Sequence, residues 1–552
     1  MIPLMDPALR IHPADDLIVA LRNLKASEVI PVGGMSFTIT EAIPAKQKFA
    51  ARDFATNDRA TMYGVTVGCV TKPIRAGGLV STANLRHATN ETTGKLRCVP
   101  WTAPDVSRWK GRTFDGYKRP HGRAGTANHW IVIPLVFCEN RNLSFMREAL
   151  QRELGYRLTG PYERLARELA ELQRRGANRA DIEALAFDFE AAAKPVPLFR
   201  HVDGVKFLEH GLGCGGTRQD SDALCSLLAG YIDHPNVAGA TVLSLGCQHA
   251  QVSLLERELA KRQPRFAKPL HIFEQQKCAS ERDMMQRAIK ATFLGVAEAN
   301  DLRRKPVPLS EILLAVECGG SDGFSGISAN PAIGHTADLI VALGGSAALS
   351  EFPELCGIEQ DLCDRCVTAE LGEKFLDLMR RYQRAAEACG SGFDANPSPG
   401  NIRDGLITDA IKSAGAAKKG GTSPVTDVLD YPEPVRSPGL SLVCTPGNDV
   451  ESTTALGGAG VTVMLFSTGL GTPTGNPVYP TIKVSTNTDL ATRLPDIIDF
   501  DTGPIITGEK SVEEMGAAML DLVIATASGA YTPKAVSLGQ DDFLPWKRGV
   551  SL

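Results

Sequence analysis

The sequence lacks any run of the roughly 18 consecutive apolar residues that a membrane-spanning helix needs. Its first residues, "MIPLMDPALRIHPADD", lack a basic region followed by an apolar run, so no secretory signal is read and a cytoplasmic protein is expected. No basic stripe stands out among 59 basic and 63 acidic residues, net charge −4, which argues against nucleic acid as a partner. Tandem repeats and low-complexity segments are absent. "STGLGTPTG", residues 467 to 475, lacks the Lys-Ser/Thr ending of a nucleotide P-loop, and no Rossmann glycine spacing occurs.

What is there is a 552-residue chain, 43% hydrophobic and 22% charged, which suits a soluble globular protein. That length predicts about two to four domains. The 13 cysteines, without an export signal, point to free thiols or metal ligands and away from a disulfide framework.

Residues 1–95 alternate short β-like runs such as "TMYGVTVGCV" with Gly/Pro punctuation and predict a small all-β module. Residues 96–127 show no clear periodicity and are read as a linker. From residue 128 the pattern is strand, loop, helix: "HWIVIPLVF", "GATVLSLGC", "EILLAVECGG" and "ADLIVALGG" are apolar runs, with helical spacing in "YERLARELAELQRRG". This predicts α/β layers with largely parallel sheets, divided into a central domain 128–393 and a C-terminal domain 394–552 at the turn cluster "DANPSPGNIRDG". Ligands are expected where loops leave the carboxyl ends of the strands. The last residues, "DDFLPWKRGVSL", are apolar enough to predict docking onto the body.

Cys214, Cys247 and Cys318 each stand near the end of an apolar run beside glycine. Three thiolates from three loops could hold iron or an iron–sulfur cluster; equally, they could be small residues at tight contacts. "CDRC", Cys363 to Cys366, lacks the second pair of a zinc site. His210, four residues before Cys214, is the histidine best placed as ligand or base. Lys412 and Lys483 could pair with a carboxylate, and the backbone amides of "STGLGTPTG" could cradle an anion.

"FDGYKRPHGRAGTANHWIVIPLVFCEN", "GCGGT", "CGGSDGFSGISANPAIG", "NPSPGN" and "DFLPWKRGVSL" together resemble the altronate and galactarate dehydratases, and the tail resembles the altronate branch. "IHPADDLIVAL" and "IPAKQKFAARDF" resemble the SAF (antifreeze-like) domain of those enzymes. The resemblance implies loss of water from a sugar acid to give a 2-keto-3-deoxy acid, dependence on a divalent metal, usually ferrous iron, and a homo-oligomer. It nominates Gly319, Gly320, Ser321, Ser325, Ser328, Asn330, Thr468 and Thr472 for substrate binding. His210, Asp322, Lys412 and Lys483 are expected to carry acid–base or charge-stabilising roles, and Cys214, Cys247 and Cys318 to be the iron ligands.

Several polar positions depart from the family pattern. Gln47 stands for a histidine, Ser81 and Ala83 for a His-x-His pair, His121 for an aspartate and Ala127 for a basic residue. Gln248 stands for a glutamate, Gln360 for a histidine, Ile411 for a glutamate and Leu470 for an arginine. A neutral amide is no general base and a weaker cation ligand. The metal could therefore be altered or lost. The alternatives to dehydration are elimination of another leaving group, as in sulfolactate sulfo-lyase, and sugar-acid binding without catalysis.

Overall fold

The computed structural model describes residues 6–120, 122–158, 160–188 and 196–551, so His121 lies outside the described residues. The expected class holds: a small all-β module precedes α/β layers with parallel sheets. In the module, Leu17–Ala20 pairs antiparallel with Ala8–Leu9 and with Lys48–Ala50, and Arg59–Met62 pairs with Val65–Val70. On one side the module closes its own core of Ile18, Leu24, Ile30, Phe37 and Phe49, and on the other it leaves an apolar face open. Phe324, Ile327, Leu406, Ile407 and Ile411 of the C-terminal domain complete it, packing with Leu17, Val19, Phe54 and Val67. Ile411 is therefore an apolar filler of the seam, where a carboxylate would be buried in a hydrocarbon cluster.

Polar contacts fix the same seam. Lys46 Nζ lies 2.8 Å from the buried Asp322 carboxylate, Gln47 Nε2 donates to Arg403 O at 2.9 Å, and Thr408 Oγ1 donates to Val67 O at 2.8 Å.

Among the described residues the central domain holds four parallel strands, in the order Gly204–Phe207, His129–Pro134, Val237–Ser244, Leu270–Glu274. The C-terminal domain holds seven, all parallel, in the order Val425–Leu429, Gly439–Val443, Ser346–Leu349, Leu313–Cys318, Val463–Thr468, Thr481–Ser485, Phe500–Asp501. Helices cover the faces, which is why the inner strands read as unbroken apolar runs.

Two domain limits differ from expectation. A boundary at 393/394 would cut the seven-stranded sheet, because Leu313–Cys318 and Ser346–Leu349 hydrogen-bond to strands that come after residue 394. The change of sheet lies before Leu313, where Lys305–Pro308 pairs with Thr113–Lys118; part of the expected linker 96–127 is thus itself a strand. "NPSPGN" is an internal turn: Ser398 caps the short helix Pro399–Arg403, and Asn401 Nδ2 donates to Ser321 O at 2.7 Å.

The tail docks as expected. Trp546 packs on Tyr382 and Tyr431, with ring centroids at 5.1 and 5.4 Å. Asp541 pairs with Lys206, and Arg548 with Asp430. Among the described residues no helix is long and apolar enough to cross a membrane.

Candidate active site

Leu313–Cys318 lies mid-sheet. From it the chain moves to Ser346–Leu349 on one side, and later to Val463–Thr468 on the other. Connections diverging from one seam leave a crevice at the carboxyl ends of the strands. Into this crevice open the ends of five segments: Glu317–Gly320, Ser350–Glu354, Asn396, Lys412–Lys419 and the start of the helix Asp449–Ala459.

At its base lies a buried set of charges. Glu317 accepts from Ser350 Oγ at 2.7 Å and Ser452 Oγ at 2.9 Å. Burial, then the Glu351 carboxylate, raises its pKa well above the ordinary carboxyl range and so disfavours its charged form. Lys419 Nζ is 2.9 Å from Cys318 Sγ and hydrogen-bonds Glu351. Burial opposes that ammonium, yet Cys318 and the carboxylates hold it charged. Burial, then Glu351, pushes the Cys318 thiol up, against the pull of the Lys419 ammonium.

Glu351 reaches this place through a left-handed backbone, φ 62° and ψ 58°. A non-glycine residue held there stores strain that surrounding contacts must offset, a common mark of functional sites. Nearer the rim, Lys412 Nζ bonds Glu354 Oε1 at 2.6 Å and Asn396 Oδ1 at 2.8 Å. Against the cost of burial, Lys412 lowers the Glu354 carboxyl below its usual value.

A different pair faces it. Lys483 is fully buried, its Nζ has no hydrogen-bond partner, and it sits 3.5 Å from the centroid of the Phe466 ring. Burial lowers it to about 7. Asp449, half-buried at the start of its helix, is raised to about 7 by burial and by Glu351 and Glu354. Gly319 is what lets them meet: a Cβ there would stand 2.0 Å from Asp449 Oδ2 and 2.6 Å from Phe466 Cζ.

The chain belongs to the altronate/galactarate dehydratase family.

Three family models together cover nearly the whole chain: the altronate/galactarate dehydratase SAF domain over residues 6–88, the D-galactarate dehydratase/altronate hydrolase second domain over 116–300, and the D-galactarate/altronate dehydratase C-terminal domain over 309–551. The chain is 31% identical to the altronate dehydratase of Bacillus subtilis (strain 168) over 99% of this chain and 100% of that one. It is also 31% identical to the altronate dehydratase of Escherichia coli (strain K12), over 95% and 96%. It shares 27% identity with the (2R)-sulfolactate sulfo-lyase subunit beta of Chromohalobacter salexigens over 79% of this chain and 97% of that one. Membership makes it an enzyme of the lyase class.

Within this family frame the nominated residues separate. Lys412, Lys483, Cys318, Gly319 and Gly320 lie in or on the crevice. Asp322 stands beside it and is spent on the seam: besides Lys46 it accepts from Thr486 Oγ1 at 3.1 Å and Ser325 Oγ at 3.1 Å. Ser321 is buried, its carbonyl taken by Asn401. Ser328 donates to Phe324 O and Thr486 O, and Asn330 bridges Gly415 O and Ser467 Oγ. These buried polar groups satisfy the loop that carries them.

The "STGLGTPTG" turn is similarly self-contained. Thr468 Oγ1 accepts from the amides of Leu470, Gly471 and Thr472 at 3.3, 2.8 and 3.1 Å, which leaves those amides unavailable to an anion. Thr472 Oγ1 lies at the Gly320 backbone, 2.8 Å from where a Cβ would be.

His210 is not in this crevice. It lies beyond the central sheet, its Nε2 on Pro134 O at 2.7 Å and its Nδ1 accepting from Leu212 N at 3.1 Å; burial lowers it to about 4. A neutral ring with both nitrogens taken by backbone is a loop anchor. Cys214 and Cys247 are exposed on loops of the same central domain, whereas Cys318 is buried on the other sheet. The three thiols do not come together as a ligand set, because glycine-flanked cysteines occur in two separate domains.

Among the described residues two groups of three ligand-type side chains do have atoms within 4.8 Å of one another: Cys318 with Glu351 and Glu354, and His87 with Cys356 and Asp409. In the first, Lys419 and Lys412 already supply the cations, so it fits a metal poorly. The second has no ion-paired lysine or arginine among the described residues and fits better.

The substituted positions are absorbed locally. Gln248 accepts from Gly246 N at 2.7 Å and donates to Ser244 Oγ at 2.6 Å, and Gln360 donates to Gly94 O at 2.8 Å. Ser81 Oγ accepts from Ala83 N, Ala127 is buried with its carbonyl on Arg119, and Leu470 is exposed at the crevice mouth.

Sequence reading missed Glu317, Glu351, Glu354, Lys419, Asn396 and Asp449. Glu317 carried a usable signal, a lone charge inside the apolar run "ILLAVEC". The others look like ordinary polar residues in sequence.

Proposed function

We propose that this protein removes water from a 2,3-dihydroxy sugar acid such as D-altronate, giving the 2-keto-3-deoxy acid. The observation that carries this reading is the Lys483–Asp449 pair, both near pH 7 in one crevice at the strand ends. Neutral Lys483 takes the proton alpha to the carboxylate. The C3–O bond breaks as Asp449 delivers its proton to the departing hydroxyl, releasing water. The enol that remains tautomerises to the keto acid. Lys412, its charge fixed by Glu354 and Asn396, balances the enediolate as it forms.

The family resemblance implies a divalent metal, which when bound would supply Lewis acidity toward substrate oxygens. His87, Cys356 and Asp409 are the side chains that would hold it.

Dehydration is favoured over sulfite elimination because the altronate dehydratases match along essentially all of this chain, and the sulfo-lyase subunit along 79% of it. The test is formation of 2-keto-3-deoxy acid, followed as its semicarbazone, from a panel of aldonates and aldarates, with free sulfite assayed in parallel from sulfolactate. Turnover of an aldonate supports the reading. Sulfite release, or binding of a sugar acid without turnover, would replace it.

A further inference from the structure

Two reactive side chains that the dehydration steps leave unused lie against each other at the base of the crevice. Cys318 ends the strand Leu313–Cys318, and Lys419 stands on the turn Ala417–Gly420. Lys419 Nζ donates to Cys318 Sγ at 2.9 Å, the length of an ordinary N–H···O bond although sulfur is the larger atom. Both are enclosed, Cys318 with 2% and Lys419 with 1% of its surface exposed. We infer that Cys318 and Lys419 form a redox modification site, at which dioxygen joins the two side chains through one bridging oxygen, Sγ–O–Nζ, and so switches the crevice off.

Three observations carry this. Both backbones are fixed: Cys318 pairs with Ser467 across the sheet, and the lysine turn is pressed onto its neighbours. A Cβ at Gly420 would meet Leu349 Cδ2 at 2.8 Å, and one at Gly334 would meet Lys418 O at 2.0 Å. Partners held in this way react as an intramolecular pair, their freedom already lost on folding. Proton acceptors stand on both sides, since Lys419 hydrogen-bonds Glu351, and Cys318 Sγ donates to Glu354 Oε2 at 3.5 Å. The gap itself selects the product. One inserted oxygen spans it with small side-chain movements, whereas a direct sulfur–nitrogen bond requires the two atoms to close much further. Burial keeps bulky thiol reagents out. Dioxygen, small and apolar, needs no polar path to enter.

The step balances with dioxygen as the oxidant. The S–H bond, two N–H bonds of the ammonium and the O–O bond break; an S–O bond, an N–O bond and the two O–H bonds of one water form. The remaining proton passes to Glu351. Sulfur and nitrogen each give up two electrons, and dioxygen takes all four, one of its atoms becoming the bridge and the other the water. Sulfur thereby reaches the sulfenic level, the reversible rung of cysteine oxidation, and two equivalents of a dithiol return thiol, amine and water. The linked nitrogen carries no charge. Glu351 is then left buried without its cation, beside the Asp449 carboxyl that it influences.

The link does not rest on the dehydratase reading; only its effect on turnover does. Full-length protein is prepared anaerobically, and half of it is exposed to isotopically heavy dioxygen. Both halves are digested without reductant and read by mass spectrometry. A peptide pair joining Cys318 to Lys419 is expected in the exposed half alone, heavier than the two free peptides by one heavy oxygen and lighter by two hydrogens, and lost on treatment with a dithiol. Cys318→Ser and Lys419→Arg should each lack it. The two wild-type halves read the link without either variant, should one fail to fold. Turnover of an aldonate should fall in proportion to the linked fraction and return with the dithiol. No linked pair after exposure, oxygen on Cys318 alone, or a link without the heavy oxygen would each overturn the site. Full turnover from fully linked protein would overturn the switch.

Discussion

Replacing Lys483 with methionine should abolish turnover and stabilise the fold, with a pH dependence that identifies the cause. Lys483 is buried without a hydrogen-bond partner, and burial brings it from 10.5 to about 7. At about 1.4 kcal/mol per pH unit, that gap corresponds to roughly 5 kcal/mol of instability when the amine is protonated in both folded and unfolded chains, which is the case below pH 7. Between about 7 and 10.5 the unfolded chain holds the proton and the folded one does not, so the cost shrinks as pH rises and vanishes above the unfolded value. By the same relation about 2 kcal/mol remains at pH 9. Methionine keeps the apolar stem on the Phe466 ring and removes the charge. Urea unfolding of both proteins, followed by circular dichroism at pH 6 and pH 9, should show Lys483→Met as the more stable, with an advantage about 2–3 kcal/mol larger at pH 6. Turnover should fall by about 100-fold or more, the usual worth of a general base. An advantage that does not change with pH, or a variant less stable at both, would mean that the amine is charged and paired in the fold. The base assignment would then fail.

The neighbouring lysine should behave oppositely: Lys412→Met leaves Glu354 buried without its cation, so a loss of about 3–5 kcal/mol is expected and would be read as a lower urea midpoint. Asp449→Asn should lower kcat and remove the fall in rate above pH 7 that wild type is expected to show as Asp449, held near 7, loses its proton; a pH–rate profile of both proteins checks this. Gly319→Ala places a methyl 2.0 Å from Asp449 Oδ2, so turnover should collapse while far-ultraviolet circular dichroism stays that of wild type.

Much of the architecture was legible because it is written locally. Alternating apolar runs and amphipathic spacing in "GATVLSLGC", "EILLAVECGG" and "ADLIVALGG" are sufficient to predict parallel strands covered by helices. Short punctuated runs predict the β-module, and an apolar tail predicts its own docking. Lys412 and Lys483 were named only as lysines that could pair with a carboxylate. The loop after Cys318 was singled out for substrate binding, but its Ser328 and Asn330 hold the loop itself, because buried hydroxyls and amides take the nearest partner.

The crevice was legible only in part: Lys412, Lys483, Cys318 and Gly319 were named from sequence, but that they meet with the buried acids of separated segments follows only from sheet order. Cys214, Cys247 and Cys318 each stand beside a glycine in sequence, yet two of them lie on loops of the central domain and the third ends a strand of the other sheet. Glu351 and Glu354 look like surface acids until the left-handed turn at Glu351 aims them at Lys419 and Lys412. The sequence by itself determined which stretches become strands, helices and caps, since those follow from near-neighbour sterics and periodicity. Only the tertiary structure decided which charges share a buried space, because that depends on where parallel strands diverge and on what desolvation does to the groups enclosed there.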